Sequence, residues 1–386
     1  MKKTYFFFFF FFSLVFLLSG CRGSDIIVPS TPTTVDTSAG KTSSAIAGMF
    51  LLNEGNMGSN KATLDYYNYN TGVYHKNIFA TINPLVSREL GDVGNDIQIY
   101  GGKLYAVINC SHYIEVMDVR TAKHIAAITI PNCRYIVFNK GYAYISSYAG
   151  PVLINPNARL GYVARMDTTT FKIDTLVVGY QPEEMVISGD NLYVANSGGY
   201  RVPNYDRTVS VIDLNKFKVT TTIDVAINLH RMEADEYGNI YVSSRGDYYT
   251  VPSSIYVINS STNTVTKNLH IPCSEMTLCG DSLYVYSTGW SYVTNKNTIS
   301  YTVYNTKAQV KMPDSFIKDG TEKNIVIPYG IAVNPITRDI FVTDAKDYVT
   351  PGTLYCFSKE GKKKWSVTTG DIPAHMVFTT KKLQNF

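Results

Sequence analysis

The chain has 386 residues, 45% hydrophobic and 17% charged, with 35 Lys and Arg against 31 Asp and Glu and a formal net charge of +4. That composition is globular, and the weak positive balance lacks the basic stripe of a nucleic-acid reader. The one compact basic run, Lys362 to Lys364, sits at a hairpin turn and reads as solvated surface.

Met1-Lys2-Lys3 is a short basic region, and Tyr5 to Leu18 is an apolar stretch ending in Leu17-Leu18-Ser19-Gly20-Cys21. A transmembrane helix needs about 20 apolar residues. This run is shorter and ends in small residues, so it reads as a lipoprotein signal over residues 1–20, with Cys21 lipidated as the first mature residue. Loss of Lys2 and Lys3 lowers the net charge by two. Residues 21–45 are rich in Ser, Thr, Pro and Ala and hold too little apolar surface to fold, which predicts a flexible tether.

Residues 46–386 form the remaining domain, too long for one simple sandwich and suited to a seven-bladed β-propeller. Residues 181 to 225 contain one complete unit of four strands: Glu184 to Ser188, Leu192 to Asn196, Val209 to Asp213 and Lys218 to Val225. The third alternates apolar and polar residues with period two, and the fourth is β-branched. The second strand, LYVAN at Leu192, recurs as KLYAVIN around Leu104, AYISS at Ala143, IYVSS at Ile240, LYVYS at Leu283, IFVTD at Ile340 and FLLNEG around Leu51. Seven markers at a spacing of roughly 40 to 55 residues predict seven blades. Six span about 94–130, 131–179, 180–226, 227–271, 272–327 and 328–372. The seventh is composite: Met49 to Asn53, Thr63 to Asn68 and Tyr74 to Thr81 lack an inner strand, and Ala374 to Thr380 at the other end supplies it, leaving the ring no open edge. The expected class is therefore all-β.

Five cysteines remain after Cys21: Cys110, Cys133, Cys273, Cys279 and Cys356. An odd number cannot all pair internally, and the spacings match no zinc pattern. A Cys110–Cys133 disulfide and buried free thiols both stay open.

PEEMVISGDNLYVANSG followed by TVSVIDLNKFKVTTTIDV resembles the repeat of the YncE-like, or YVTN, seven-bladed propellers. Joined to a lipoprotein signal and a Ser/Thr tether, the chain is similar to the BtuG-type surface lipoproteins of gut Bacteroides-type bacteria. That resemblance implies capture of a corrinoid, vitamin B12 or cobalamin, and its transfer to a TonB-dependent transporter. It also implies an outer-membrane, lipid-anchored location facing the extracellular side, which the single carboxylate of Ser24-Asp25 matches only in part.

Aligning the seven inner strands on their apolar runs places Asp96, Arg134, Glu184, Arg231, Glu275, Gly330 and His375 at one equivalent position around the axis. Such a ring can be a self-neutralising set of ion pairs or the floor of a ligand site. The long loops on the same face carry His112 and Tyr113, then Tyr148, then Tyr200, Arg201 and Tyr205, then Arg245, Tyr248 and Tyr249, then Trp290 and Tyr292, and finally Tyr348 beside Lys346. Aromatic rings with polar tips suit a broad ligand with an amide fringe. Glycan capture explains the same aromatics, and docking as a pure scaffold needs none of them. A lactonase or lyase would cast Glu184, Glu275 and His375 as acid and base, but no nucleophile elbow, HExxH helix or metal spacing accompanies them. The expectation is a binding protein that is not an enzyme and carries no resident cofactor. His112 and His375 are more simply hydrogen-bonding residues than cobalt ligands.

Overall fold

The computed structural model describes residues 28–37, 45–86, 89–291, 296–384 and 386. The signal, Cys21 and Tyr292 lie outside the described residues, as does the side chain of Trp290. Among the described residues, seven antiparallel sheets form a closed propeller. In the order of the chain, the inner strands are Gly94–Tyr100, Cys133–Asn139, Pro182–Ser188, Leu229–Ala234, Glu275–Cys279, Pro328–Val333 and Pro373–Thr379. Each touches the next around the axis, and the last touches the first. Pro373–Thr379 pairs with Gly48–Asn53, so the composite blade, here blade one, closes the ring as expected. Blades two to seven follow in chain order.

The marker motif explains the packing. In LYVAN-type strands alternate residues face opposite neighbours, and both faces of each sheet are covered. Tyr105, Tyr193, Tyr241, Phe50 and Phe341 occupy the second position of the motif and are wholly buried. Burying each contributes about 2–3 kcal/mol. One apolar cluster fills each seam: Tyr105, Ile114 and Ile136 between blades two and three, Tyr193, Val209 and Ile240 between four and five, and Leu51, Phe341 and Trp365 between seven and one. The five cysteines named above are free thiols, so the Cys110–Cys133 bridge is not formed.

Two local expectations change. The strand read through Tyr74 to Thr81 is only Val73–Lys76. Asn77 adopts a left-handed backbone, its N–H donates to Asp65 at 2.7 Å, and a short helix, Ile78–Ile82, begins. Within the stretch read as a tether, Thr31–Thr34 is a fifth strand, paired antiparallel with Val73–Lys76 on the outer edge of blade one. Such an edge strand needs backbone hydrogen bonds rather than apolar side chains, which is why TPTT gives no hydrophobic signal.

Each inner strand starts at one end of the ring, and each second strand returns there. The second-to-third-strand loops and the links into the inner strands therefore share that end, called the mouth below.

Candidate functional site

The inner strands do not enter the channel as regular ladders. Pairing with the second strand shifts register between Pro182 and Met185, Leu229 and Met232, Pro328 and Ile331, and Gly94 and Asp96, with similar breaks in blades one and three. A bulge sets extra residues against one partner and interrupts the alternation of faces. Two adjacent residues thus reach the mouth in most of the bulged blades. One layer, at the first pair of the regular ladder or immediately before it, is Asp96, Tyr135, Glu184, Arg231, Glu275, Gly330 and His375. The other, one residue earlier, includes Asn95, Arg134, Glu183, His230 and Tyr329.

This corrects the place of Arg134. Ile136 pairs with Ile145 as Met185 pairs with Val194, so Tyr135 is the residue equivalent to Glu184, and Arg134 belongs to the layer of Glu183. Gly330 has no side chain for a steric reason: a Cβ there would lie 1.9 Å from the carbonyl oxygen of Ala374.

Two linked clusters result. In the first, Glu183 is 1% exposed and accepts from Arg134 Nη2 at 3.1 Å and Nε at 3.2 Å, from Arg245 Nη1 at 3.2 Å and from Tyr148 Oη at 2.5 Å. Burial works to raise its pKa, but the charges of Arg134 and Arg245 and the bonds from Tyr148 and Arg134 hold the carboxyl below its usual range. In the second, Arg231 pairs with Glu275 at 2.6 Å and Glu184 at 3.5 Å and donates to Tyr135 Oη at 2.9 Å. Tyr135 Oη lies 3.0 Å from His230 Nε2. Burial, reinforced by Arg245, Arg231 and Arg134, pushes His230 well below its ordinary pKa. Tyr135 Oη thus bridges the Arg231 guanidinium, from which it accepts, and the His230 ring.

The carboxylates of the deeper layer also hold blades together. Asp96 accepts the Ile136 N–H at 2.9 Å, and Glu184 accepts the Met232 N–H at 2.6 Å, each from the next blade. Burial raises the pKa of Asp96, Glu184 and Glu275, opposed chiefly by His375 at Asp96 and by Arg231 at the two glutamates. On the far side of the mouth Glu54 faces His375 Nε2 at 3.5 Å and accepts from Tyr329 Oη at 2.8 Å. Below this floor a cavity of about 360 Å³, lined by Asp96, Tyr135, Glu184, Met185, Met232 and Glu233, runs along the inner strands toward the opposite end.

The loop aromatics divide. Tyr148 is buried in the Glu183 cluster, and Tyr200 meets it edge-on at 6.2 Å. Tyr348 meets Tyr329 edge-on at 5.8 Å. Tyr205 is half-buried near the 247–249 loop, while Tyr248 and Tyr249 stand out from the rim, Tyr249 85% exposed. Arg201 stacks on Tyr180 at 3.5 Å and donates to the Asn204 carbonyl, so its own loop holds it. Tyr113 donates to the Leu90 carbonyl and packs against the apolar cluster between blades one and two, and His112 Nδ1 lies 3.1 Å from both the Asn109 carbonyl and the Asn132 N–H. His112 lines a hollow of about 420 Å³ with Met57, Cys110 and Pro151. A second, of about 300 Å³, lies between Tyr148, Asn155, Arg159 and Gln181. A larger one, about 630 Å³, is at the opposite end against Arg120 and Leu383, remote from these clusters.

Glu54, Tyr135, Glu183, His230 and Tyr329 were not among the residues expected from sequence. Glu54 has a repeat signature: Tyr148 and Arg245 hold the same place after the second strand of their blades. Among the described residues no group of His, Cys, Asp and Glu is arranged to hold a metal ion.

Residues 47–379 match the family model described as a domain of unknown function, DUF5074. No curated protein matches the chain. Among solved structures, the fold is similar to the hydrazine synthase of Kuenenia stuttgartiensis, with TM-score 0.58, 16% identity, and coverage of 73% of this chain and 88% of that one. It is also similar to a quinoprotein alcohol dehydrogenase-like protein from Bacteroides thetaiotaomicron, with TM-score 0.58, 14% identity, and coverage of 86% and 78%. At these identities the likeness is one of fold.

Proposed function

The chain belongs to the DUF5074 family, and on that premise we propose that it is a ligand-capture propeller of the cell surface. In this reading it is anchored in the outer membrane through lipid on Cys21, binds a corrinoid at the mouth and passes it to a TonB-dependent transporter. The observation that carries the reading is the joining of Arg134, Arg245, Tyr148 and Tyr200 around Glu183, a polar floor with aromatic walls under loops from several blades. Arg245 is only partly buried, and a guanidinium has five N–H donors, of which Glu183 takes one here. The others suit carbonyl oxygens of an amide-fringed ring, and the tyrosine faces suit its apolar body.

Binding rather than turnover agrees with the carboxylates. Glu184 and Glu275 are engaged by Arg231, and Glu184 also by a backbone N–H, so neither stands free as a general base. Titrating the soluble domain with cyanocobalamin beside a glycan panel tests the reading. Saturable corrinoid binding supports it, and glycan binding without corrinoid binding replaces it.

A further inference from the structure

Thr31–Thr34 fixes where the chain leaves the propeller. Gly48–Asn53 runs toward the mouth, Thr63–Asn68 away from it and Val73–Lys76 toward it again. Thr31–Thr34 is antiparallel to Val73–Lys76, so Thr31 lies at the mouth end and Thr34 at the opposite end. The residues before it agree: Ser30 N–H donates to Thr81 Oγ1 at 2.9 Å, and Asn77 Nδ2 donates to the Val28 carbonyl at 3.3 Å, beside the helix that follows Lys76. The chain thus reaches Val28 at the rim of the mouth.

A second observation concerns the two ends of the ring. Mouth-side loops expose Met57, Leu85, Ile154, Tyr249 and Val349, among others. Among the described residues, the opposite end exposes fewer large apolar side chains: Tyr237 and Ile336 in its turns, and Tyr142, Ile125, Ile173, Val265 and Val310 at the strand ends beside them. Apolar surface gathered on one face marks a face that meets something.

We infer that the Thr31–Thr34 strand is an orienting strap that holds the mouth toward the membrane from which the protein hangs. The inference rests on the lipid-anchor reading of Cys21. Residues 21–27 are seven residues, which span at most about 25 Å when fully extended. With the leash joined at the mouth rim, a mouth-toward-membrane pose needs little of that length. The reverse pose needs nearly all of it laid along the outside of blade one, whose six-residue strands alone are about 20 Å tall. The exposed rim residues then lie within reach of the bilayer's interfacial layer, where the amphipathic ring of tyrosine is favoured.

The test uses the full lipidated protein in phosphatidylethanolamine and phosphatidylglycerol vesicles carrying a headgroup-attached quencher. A Cys110→Ser background leaves only buried native thiols, and a fluorophore is placed by Tyr249→Cys at the mouth or by Lys359→Cys at the opposite end. The expected result is quenching at least threefold stronger at 249 than at 359. Inserting twenty Gly and Ser residues between 27 and 28, which leaves the fold untouched, should bring the two positions to within a factor of 1.5. Vesicle-bound protein with equal quenching at the two positions, or stronger quenching at 359, overturns the orientation while leaving the anchor intact. Protein that does not float with vesicles overturns the anchor and the orientation with it.

Discussion

Replacing Glu183 by alanine removes the one carboxylate shared by Arg134 and Arg245 and leaves two partly buried guanidiniums and the Tyr148 hydroxyl facing one another. Stripping one partner from a buried pair costs about 3–5 kcal/mol, because the remaining charge has neither water nor a counter-ion. The upper part of that range is expected here, since three donors lose one acceptor. Urea unfolding followed by both fluorescence and far-UV circular dichroism at pH 7 measures the loss, and coincident transitions license the free energy. The sign with pH is also set. A carboxyl whose folded-state pKa is depressed contributes stability above its unfolded value near 4.5 and loses it as pH falls through the folded value. The gap between wild type and Glu183→Gln should therefore be open at pH 6–7 and close as the pH drops below about 4. A Glu183→Ala protein within about 1 kcal/mol of wild type, or a gap unchanged at low pH, would refute the claim that this node organises the mouth.

Gly330→Ala drives a Cβ into the Ala374 carbonyl at the junction of blade seven with the closing strand. It should cost about 3 kcal/mol, the upper end of overpacking effects, in the same denaturation assay. Glu115, buried and paired with His124 at 2.5 Å, has its pKa pushed up by burial to about 7 against the opposing pull of His124. A raised carboxyl contributes stability below its unfolded pKa and loses it as pH rises through the folded one. Wild type should therefore lose on the order of 1–3 kcal/mol relative to Glu115→Gln between pH 5 and 8, and a flat difference curve would contradict this. Tyr135→Phe removes the hydroxyl between Arg231 and His230. About 1–3 kcal/mol of stability should go with it, because both buried partners lose a hydrogen bond.

Much of the fold was legible because propeller blades repeat their chemistry. LYVAN-type strands place an aromatic in every seam, and that regularity located seven second strands and the composite blade. The site was legible only in part. Period-two alternation sends Glu183 and Glu184 to opposite faces, yet the bulge between Pro182 and Met185 brings both to the mouth. The same device hid His230 beside Arg231, Tyr329 beside Gly330 and Tyr135 beside Arg134. Three tyrosines expected at the mouth met different ends: Tyr148 sank beneath Glu183, Tyr113 found the Leu90 carbonyl, and Tyr249 kept to solvent. Loop composition carries no register to separate such outcomes. Nor could residues 31–34 announce themselves, since their pairing with Val73–Lys76 is written in the backbone.

Capture at the mouth is tested most directly by calorimetric titration of the soluble domain, residues 28–386, with cyanocobalamin, in wild type and in an Arg245→Ala, Tyr200→Ala double variant. Saturable one-to-one binding that weakens at least tenfold in the variant, with an unchanged circular dichroism spectrum, is the predicted result. No heat at micromolar ligand, or equal affinity in the two proteins, would contradict it.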